Sequence, residues 1–110
     1  MNDEEEQIVE HFKSNLKRLK NQLEVWNIKP IFITQITYNI NGDKILYFLN
    51  KELKNFSMRN NYSIIKLDEL IDQPLNNFFM DTVHTNKFGS EKLSKILYPY
   101  LIKEIKKNLI

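Results

Sequence analysis

Cysteine is absent from the chain, which excludes disulfides, thiolate metal sites and a cysteine nucleophile. Glycine (2) and proline (3) are scarce, and that scarcity by itself indicates no function. No apolar run approaches the roughly 20 residues that a membrane-spanning helix needs. Neither charge sign is in large excess, since 16 basic and 14 acidic residues leave a net charge of +2. That balance gives no case for nucleic acid or a membrane as partner.

The remaining composition is typical of one small globular domain. The 110 residues are 42% hydrophobic and 27% charged, which argues against disorder and is too little chain for two domains. The N-terminus begins with acidic residues instead of the basic and then apolar segment of a signal peptide. We therefore expect a cytoplasmic protein by default, with its compartment otherwise unknown.

Hydrophobic periodicity predicts three helices, two strands and one helical turn. Apolar residues at intervals of three and four indicate a helix over residues 4–26, with the stripe Val9, Phe12, Leu16, Leu19, Leu23 and Trp26. Strands are predicted over 31–36 and 62–67, with a helix over 43–57 between them. A helical turn at 69–71 follows, and a last helix runs from an N-cap at Asn86 or Ser90 to about residue 108. Its predicted buried face comprises Leu93, Ile96, Leu97, Tyr100, Leu101, Ile105 and Leu109.

The order of these elements predicts an α/β fold. Strand, helix and strand within 37 residues form a βαβ unit, whose two strands should be parallel. Two parallel strands make a poor sheet, because parallel sheets normally have several strands covered on both faces. The order α-β-α-β-α therefore indicates one edge of a larger doubly wound fold.

Asp81 and His84 are the strongest candidates for chemistry. At a spacing of three residues, a carboxylate can accept the Nδ1 hydrogen of the imidazole, which leaves Nε2 free to act as a general base. A solvated pair in a loop is the alternative on spacing alone. Because the only other histidine is His11, in the first predicted helix, we expect no metal site.

Residues 81–90 resemble the last block of the SGNH (GDSL-type) hydrolase family. That block is Asp-x-x-His, a small residue, Asn, and a Gly that opens the final helix. Here it corresponds to Asp81, His84, Thr85, Asn86 and Gly89. The predicted strands at 31–36 and 62–67 resemble the last two strands of the family. The shared order of elements extends from about residue 8 to 105.

The resemblance implies the C-terminal part of a flavodoxin-like three-layer α/β/α sandwich. It implies hydrolysis of esters through a serine acyl-enzyme, with His84 as general base, Asp81 as its orienting partner and no metal or organic cofactor. The substrate would be an ester of a small molecule or an acylated glycan. Gln35 and Tyr38 follow the end of a predicted parallel strand, where such sheets bind ligands, and this position predicts that they line a substrate pocket. An ordinary polar turn is the alternative.

The family's nucleophile is missing from the sequence. No serine follows Gly-Asp, and the family's two oxyanion blocks are also absent. Only Ser90 follows a glycine, and we expect it to be a helix cap. We therefore expect the isolated chain to be inactive, and to require a complementing N-terminal chain or to self-associate.

Two alternatives from other classes stay open. In the first, the chain is a catalytically silent interaction module that docks or oligomerises through the stripe on its first helix. In the second, it is a complete but diverged small enzyme in which Asp81 and His84 act on water. Serine-directed inhibitors separate the second alternative from the esterase, because they would leave its activity intact.

Overall fold

A computed structural model describes residues 1–37, 43–71, 78–80 and 84–109. The helices in this part of the chain are α1 (Asp3–Trp26), α2 (Lys44–Arg59), α3 (Leu67–Leu70) and α4 (Lys87–Asn108). The strands are β1 (Ile31–Ile33) and β2 (Ser63–Ile65). The predicted order is confirmed. The predicted helical turn after β2 is confirmed as α3, which begins two residues earlier than expected.

Local signals in the sequence set the ends of α1. The Asn2 side chain accepts a hydrogen bond from the Glu5 N–H at 2.8 Å and so caps the helix. Four acidic residues fill the first turn, where the helix dipole favours negative charge. Asn27 ends the helix in the left-handed conformation, at φ 54°. The predicted span of residues 4–26 is therefore correct to within one residue.

The two strands pair in parallel, as predicted. Ile31 is opposite Ser63, and Ile33 is opposite Ile65. Both strands are shorter than expected, and β2 ends where the chain turns into α3 at Leu67. The Thr34 N–H still donates to the Ile65 carbonyl at 3.1 Å, but the Gln35 backbone pairs with a side chain of α2.

Helices cover both faces of this small sheet. Leu16, Leu53 and Phe56 form a buried cluster of α1 and α2, against which Phe32 and Ile64 pack. Side chains alternate between the faces of a strand, so Ser63 and Ile64 point to opposite sides. The Asn108 side chain of α4 donates to Ser63 Oγ at 3.1 Å, which places the end of α4 on the second face. The chain is therefore a mixed α/β structure around a two-stranded parallel sheet.

Several predicted core positions are exposed. On α1, Val9 and Leu16 are buried, but Leu19 is 41% exposed and Trp26 is 68% exposed. On α4, the predicted face is exposed at Tyr100, Ile105 and Leu109. The reason is geometric, because a sheet of two three-residue strands is too small to cover helices of 24 and 22 residues. In the described part of the chain, no helix has the length and apolar character needed to cross a membrane.

Candidate active site at the carboxyl edge of the sheet

The structure describes two of the four predicted site residues. His84 is exposed and lies three residues before α4. Gln35 is exposed and lies two residues beyond the end of β1. Asp81 and Tyr38 lie outside the described residues, so their predicted roles stay predictions.

Backbone pairing fixes the position of His84. The Met80 N–H donates to the His84 carbonyl at 2.7 Å, and the Asn86 N–H donates to the Phe78 carbonyl at 2.8 Å. Between these two hydrogen bonds, Phe79 and Thr85 form an antiparallel bridge. The chain therefore returns on itself here, and Met80 and His84 lie opposite each other. A short connection of three residues, 81–83, joins them in sequence.

The paired segment also packs against the start of α4. The Asn86 side chain caps the helix by accepting a hydrogen bond from the Gly89 N–H at 2.7 Å. Gly89 lies directly against the backbone of Phe78, and a Cβ built on it would be 2.0 Å from the Phe78 carbonyl oxygen. Only glycine permits so close an approach without a shift of the chain. The Asn-x-x-Gly spacing of the sequence block thus has a packing reason.

Ser90 is not the helix cap, so that expectation was wrong. It lies inside α4, and its N–H donates to the Asn86 carbonyl at 2.9 Å. Its hydroxyl is 2.6 Å from Thr85 Oγ1. The amide oxygen of Asn86 has taken the capping role, because Asn86 precedes the first helical residue.

An apolar cluster places the His84 segment at the carboxyl edge of the sheet. Phe78 and Phe79 are 4% and 8% exposed, and they pack with Ile36, Ile71 and Leu93. Ile36 follows β1, and Ile71 follows β2 and α3. Leu93 belongs to the first half of α4, whereas Asn108 at the other end of α4 contacts the start of β2. His84 therefore lies at the end of the sheet where open α/β folds bind their ligands.

A polar network joins the two strands to α2 at this edge. The Thr34 hydroxyl donates to Asp68 Oδ1 at 2.6 Å, and Thr34 is only 1% exposed. The Asp68 N–H donates back to Thr34 Oγ1 at 3.0 Å. Lys54 of α2 lies 2.8 Å from Asp68 Oδ2 and 2.8 Å from Glu69 Oε2. The network ties the residues after β1 to those after β2.

Lys54 makes this network sensitive to alkaline pH. Burial alone would lower the pKa of the Lys54 ammonium, but its hydrogen bonds to Asp68 and Glu69 outweigh that effect and raise the pKa above 10.5. A pKa raised on folding stabilises the protein below the unfolded value, and the stabilisation is lost as pH rises through the folded value. We therefore expect the free energy of unfolding to fall above about pH 10.5, as Lys54 deprotonates.

Urea unfolding of wild type and Lys54→Met between about pH 8.5 and pH 11.5 measures that loss. The Lys54→Met variant should show a shallower alkaline decline than wild type. Lys51→Met is the matched control, because Lys51 is an exposed lysine on the same helix. A decline as steep in Lys54→Met as in wild type would show that Lys54 does not cause it.

Asn50 of α2 holds the backbone of Gln35. Its Oδ1 accepts from the Gln35 N–H at 3.0 Å, and its Nδ2 donates to the Gln35 carbonyl at 2.9 Å. Asn50 is 4% exposed. The Thr34 N–H bonds to β2, and successive residues of a strand alternate in direction. The backbone N–H and carbonyl of Gln35 therefore point away from β2. The Asn50 amide therefore occupies the place that a further strand would take beside Gln35.

We expect Asn50→Leu to lower the free energy of unfolding by at least about 2 kcal/mol, because it leaves both Gln35 backbone groups without their partner. Urea unfolding measures this, and hydrogen exchange of the Gln35 amide should accelerate at the same time. Asn55→Leu provides the control, since Asn55 lies on the same helix and is half-buried. An equal loss of stability in both variants would contradict a specific role of the hydrogen bonds between Asn50 and the Gln35 backbone.

The sequence patterns did not indicate Thr34, Asn50, Lys54 and Asp68 as residues of this edge. The one local signal for them was Asn50, a polar residue at helical spacing from Leu46 and Leu53. In the described part of the chain, no three His, Asp or Glu side chains gather as a metal site would require. The described chemistry at the carboxyl edge therefore comprises one imidazole and a hydrogen-bonded polar network.

No protein-family model, curated protein or solved structure matches this chain. The resemblance of residues 81–90 to the SGNH block therefore stays a prediction. Any function has to be inferred from the geometry of the described residues.

Proposed function

We propose that the chain is the C-terminal part of an SGNH-type serine esterase, with His84 as general base and Asp81 as its orienting partner. The finer fold belongs to the proposal as well: the two-stranded sheet is the edge of a flavodoxin-like three-layer sandwich. The nucleophilic serine and the oxyanion donors come from polypeptide outside these 110 residues. The isolated chain is then inactive toward esters.

One observation carries the proposal. His84 precedes a long helix at the carboxyl edge of a parallel sheet, and the pairing of residues 84–86 with residues 78–80 holds it there. A general base must be held within hydrogen-bond reach of the proton that it takes, so a fixed segment suits this role better than a free loop. The carboxyl edge is also where open α/β sheets bind ligands.

The chemistry assigned to His84 is proton transfer. The imidazole Nε2 takes the serine hydroxyl proton while that oxygen attacks the ester carbonyl carbon, and it then gives the proton to the departing alcohol. In the second half, the same nitrogen takes a proton from water as the water attacks the acyl-enzyme, and it returns that proton to the serine oxygen as the carboxylic acid departs. Gln35 and Tyr38 are proposed to line the substrate pocket, which takes an ester of a small molecule or an acylated glycan.

A serine-directed probe tests the proposal on the native polypeptide. An antibody raised against α1 captures from source cells whatever carries this sequence, together with any bound chain. Its intact mass is measured, and a fluorophosphonate is added. We expect a serine outside residues 1–110 to be labelled, and hydrolysis of p-nitrophenyl acetate to stop on labelling.

The isolated chain of 13.3 kDa is the control, and it should neither react nor hydrolyse the ester. Ester turnover that survives the fluorophosphonate would contradict the proposal and favour an enzyme that acts on water. A captured sample with no labelled serine and no turnover would favour the interaction module.

A further inference from the structure

A basic groove lies between α1 and α2, at the opposite end of the sheet from His84. Its volume is about 380 Å³. It is lined by Lys13, Lys17, Lys20, Phe56, Arg59 and Asn60. Asn60 caps the carboxyl end of α2, three residues before β2 begins, so the groove belongs to the amino edge of the sheet. Every charged residue in this lining is a cation.

The three lysines form one row on α1. Positions 13, 17 and 20 are separated by four and three residues, which places their side chains on the same face of a helix. At a rise of 1.5 Å per residue, the row extends for about 10 Å along the helix axis. Arg59 of α2 also lines the groove, so cations from two different helices meet here.

Two of the four cations have no carboxylate partner among the described residues. Lys13 pairs with Glu10 at 3.2 Å and Glu52 at 3.7 Å, and Lys20 pairs with Glu24 at 3.7 Å. None of these three carboxylates lines the groove. Lys17 and Arg59 are exposed and form no ion pair in the part of the chain that the structure describes.

The floor of the groove gives it a fixed shape. Phe56 is 6% exposed and belongs to the buried cluster of Leu16 and Leu53. The Asn60 side chain donates to the Phe56 carbonyl at 2.8 Å, which holds the end of α2 in place. A ligand in the groove would therefore meet a rigid floor and movable cationic side chains.

We infer that this groove binds a compact oligophosphate, an anion that carries several phosphate groups in a line. Phosphate oxygens accept hydrogen bonds from ammonium and guanidinium groups, and Arg59 can bind two of them at once. A row of three lysines facing one arginine matches several adjacent phosphates better than it matches a single carboxylate. Lys17 and Arg59 supply positive charge that no carboxylate of the described residues neutralises. This site is separate from the proposed esterase site and does not depend on it.

Isothermal titration of the 110-residue chain with inorganic tripolyphosphate tests the inference. We expect one molecule to bind per chain, with orthophosphate at least about tenfold weaker because it reaches fewer cations. The double variant Lys17→Ala and Arg59→Ala should weaken tripolyphosphate binding by at least about tenfold. Raising the salt concentration should weaken wild-type binding as well.

The matched control is the double variant Lys95→Ala and Lys103→Ala. It also removes two positive charges, but from exposed positions on α4. It should bind tripolyphosphate as wild type does. Arg59 lies in the last turn of α2, where the helix dipole favours a cation, so thermal unfolding must show that its variant is folded. If the variant is unfolded, the single variant Lys17→Glu replaces it in the titration, since Lys17 is exposed within α1. Equal weakening in the control, or no saturable binding by wild type, would overturn the inference.

Discussion

From the proposed esterase function, we expect His84→Ala to lower kcat for ester hydrolysis by about 10⁴-fold or more in the polypeptide that is proposed to supply the serine. Without the imidazole, no group takes the serine proton, so the attack on the ester carbonyl has to proceed from the neutral hydroxyl. The KM should change little, because the imidazole acts on proton transfer in the transition state and does not bind the substrate in the ground state. Steady-state kinetics with p-nitrophenyl acetate measures both parameters.

His11→Ala is the control for that experiment. His11 is the other histidine of the chain and lies exposed on α1. Its replacement should leave kcat unchanged. If the loss of any histidine disturbed the structure, both variants would lose activity. If His84→Ala retained more than about a tenth of the wild-type kcat, His84 could not be the general base.

The second large effect is expected at Gly89. Gly89→Ala would place a methyl group 2.0 Å from the Phe78 carbonyl oxygen, which is far inside van der Waals contact. Because that oxygen belongs to the backbone, relief requires the 78–80 segment to move away from α4. The movement would break the hydrogen bond from the Asn86 N–H to Phe78 and loosen the buried Phe78 side chain.

We expect Gly89→Ala to lower the free energy of unfolding by at least about 3 kcal/mol, as overpacking against a fixed backbone does at the upper end of its range. Urea unfolding with far-ultraviolet circular dichroism measures it. Ser94→Ala should change stability by less than about 0.5 kcal/mol, since Ser94 is exposed on the same helix. A Gly89→Ala variant as stable as wild type would mean that Gly89 does not contact Phe78 as described.

The sequence predicted the elements because their signals are local. A cap such as Asn86, and apolar residues at helical spacing, depend only on neighbours within one or two turns. The parallel pairing of β1 and β2 could also be predicted, because a connection that contains a helix does not permit a tight hairpin. Asn86 is a predictable cap for the same reason, since its partner Gly89 is only three residues away.

The remaining features depend on contacts between distant parts of the chain. Asp68 meets Thr34 across 34 residues of sequence, and no local pattern predicts that pair. The exposure of Leu19 and Leu109 depends on how little surface a two-stranded sheet offers, which periodicity cannot measure. The close approach of Gly89 to Phe78 likewise arises only once α4 packs against the preceding segment.

The tautomer of His84 in the 110-residue chain tests the proposed dyad without needing the proposed serine. It is read from ¹⁵N chemical shifts at a pH where the imidazole is neutral. We expect the proton on Nδ1, held by Asp81, and we expect Asp81→Asn to change this tautomer while His11 stays unchanged as the internal control. A His84 proton on Nε2 in wild type, or a tautomer indifferent to Asp81→Asn, would contradict the dyad. The proposed general base would then have lost its orienting partner.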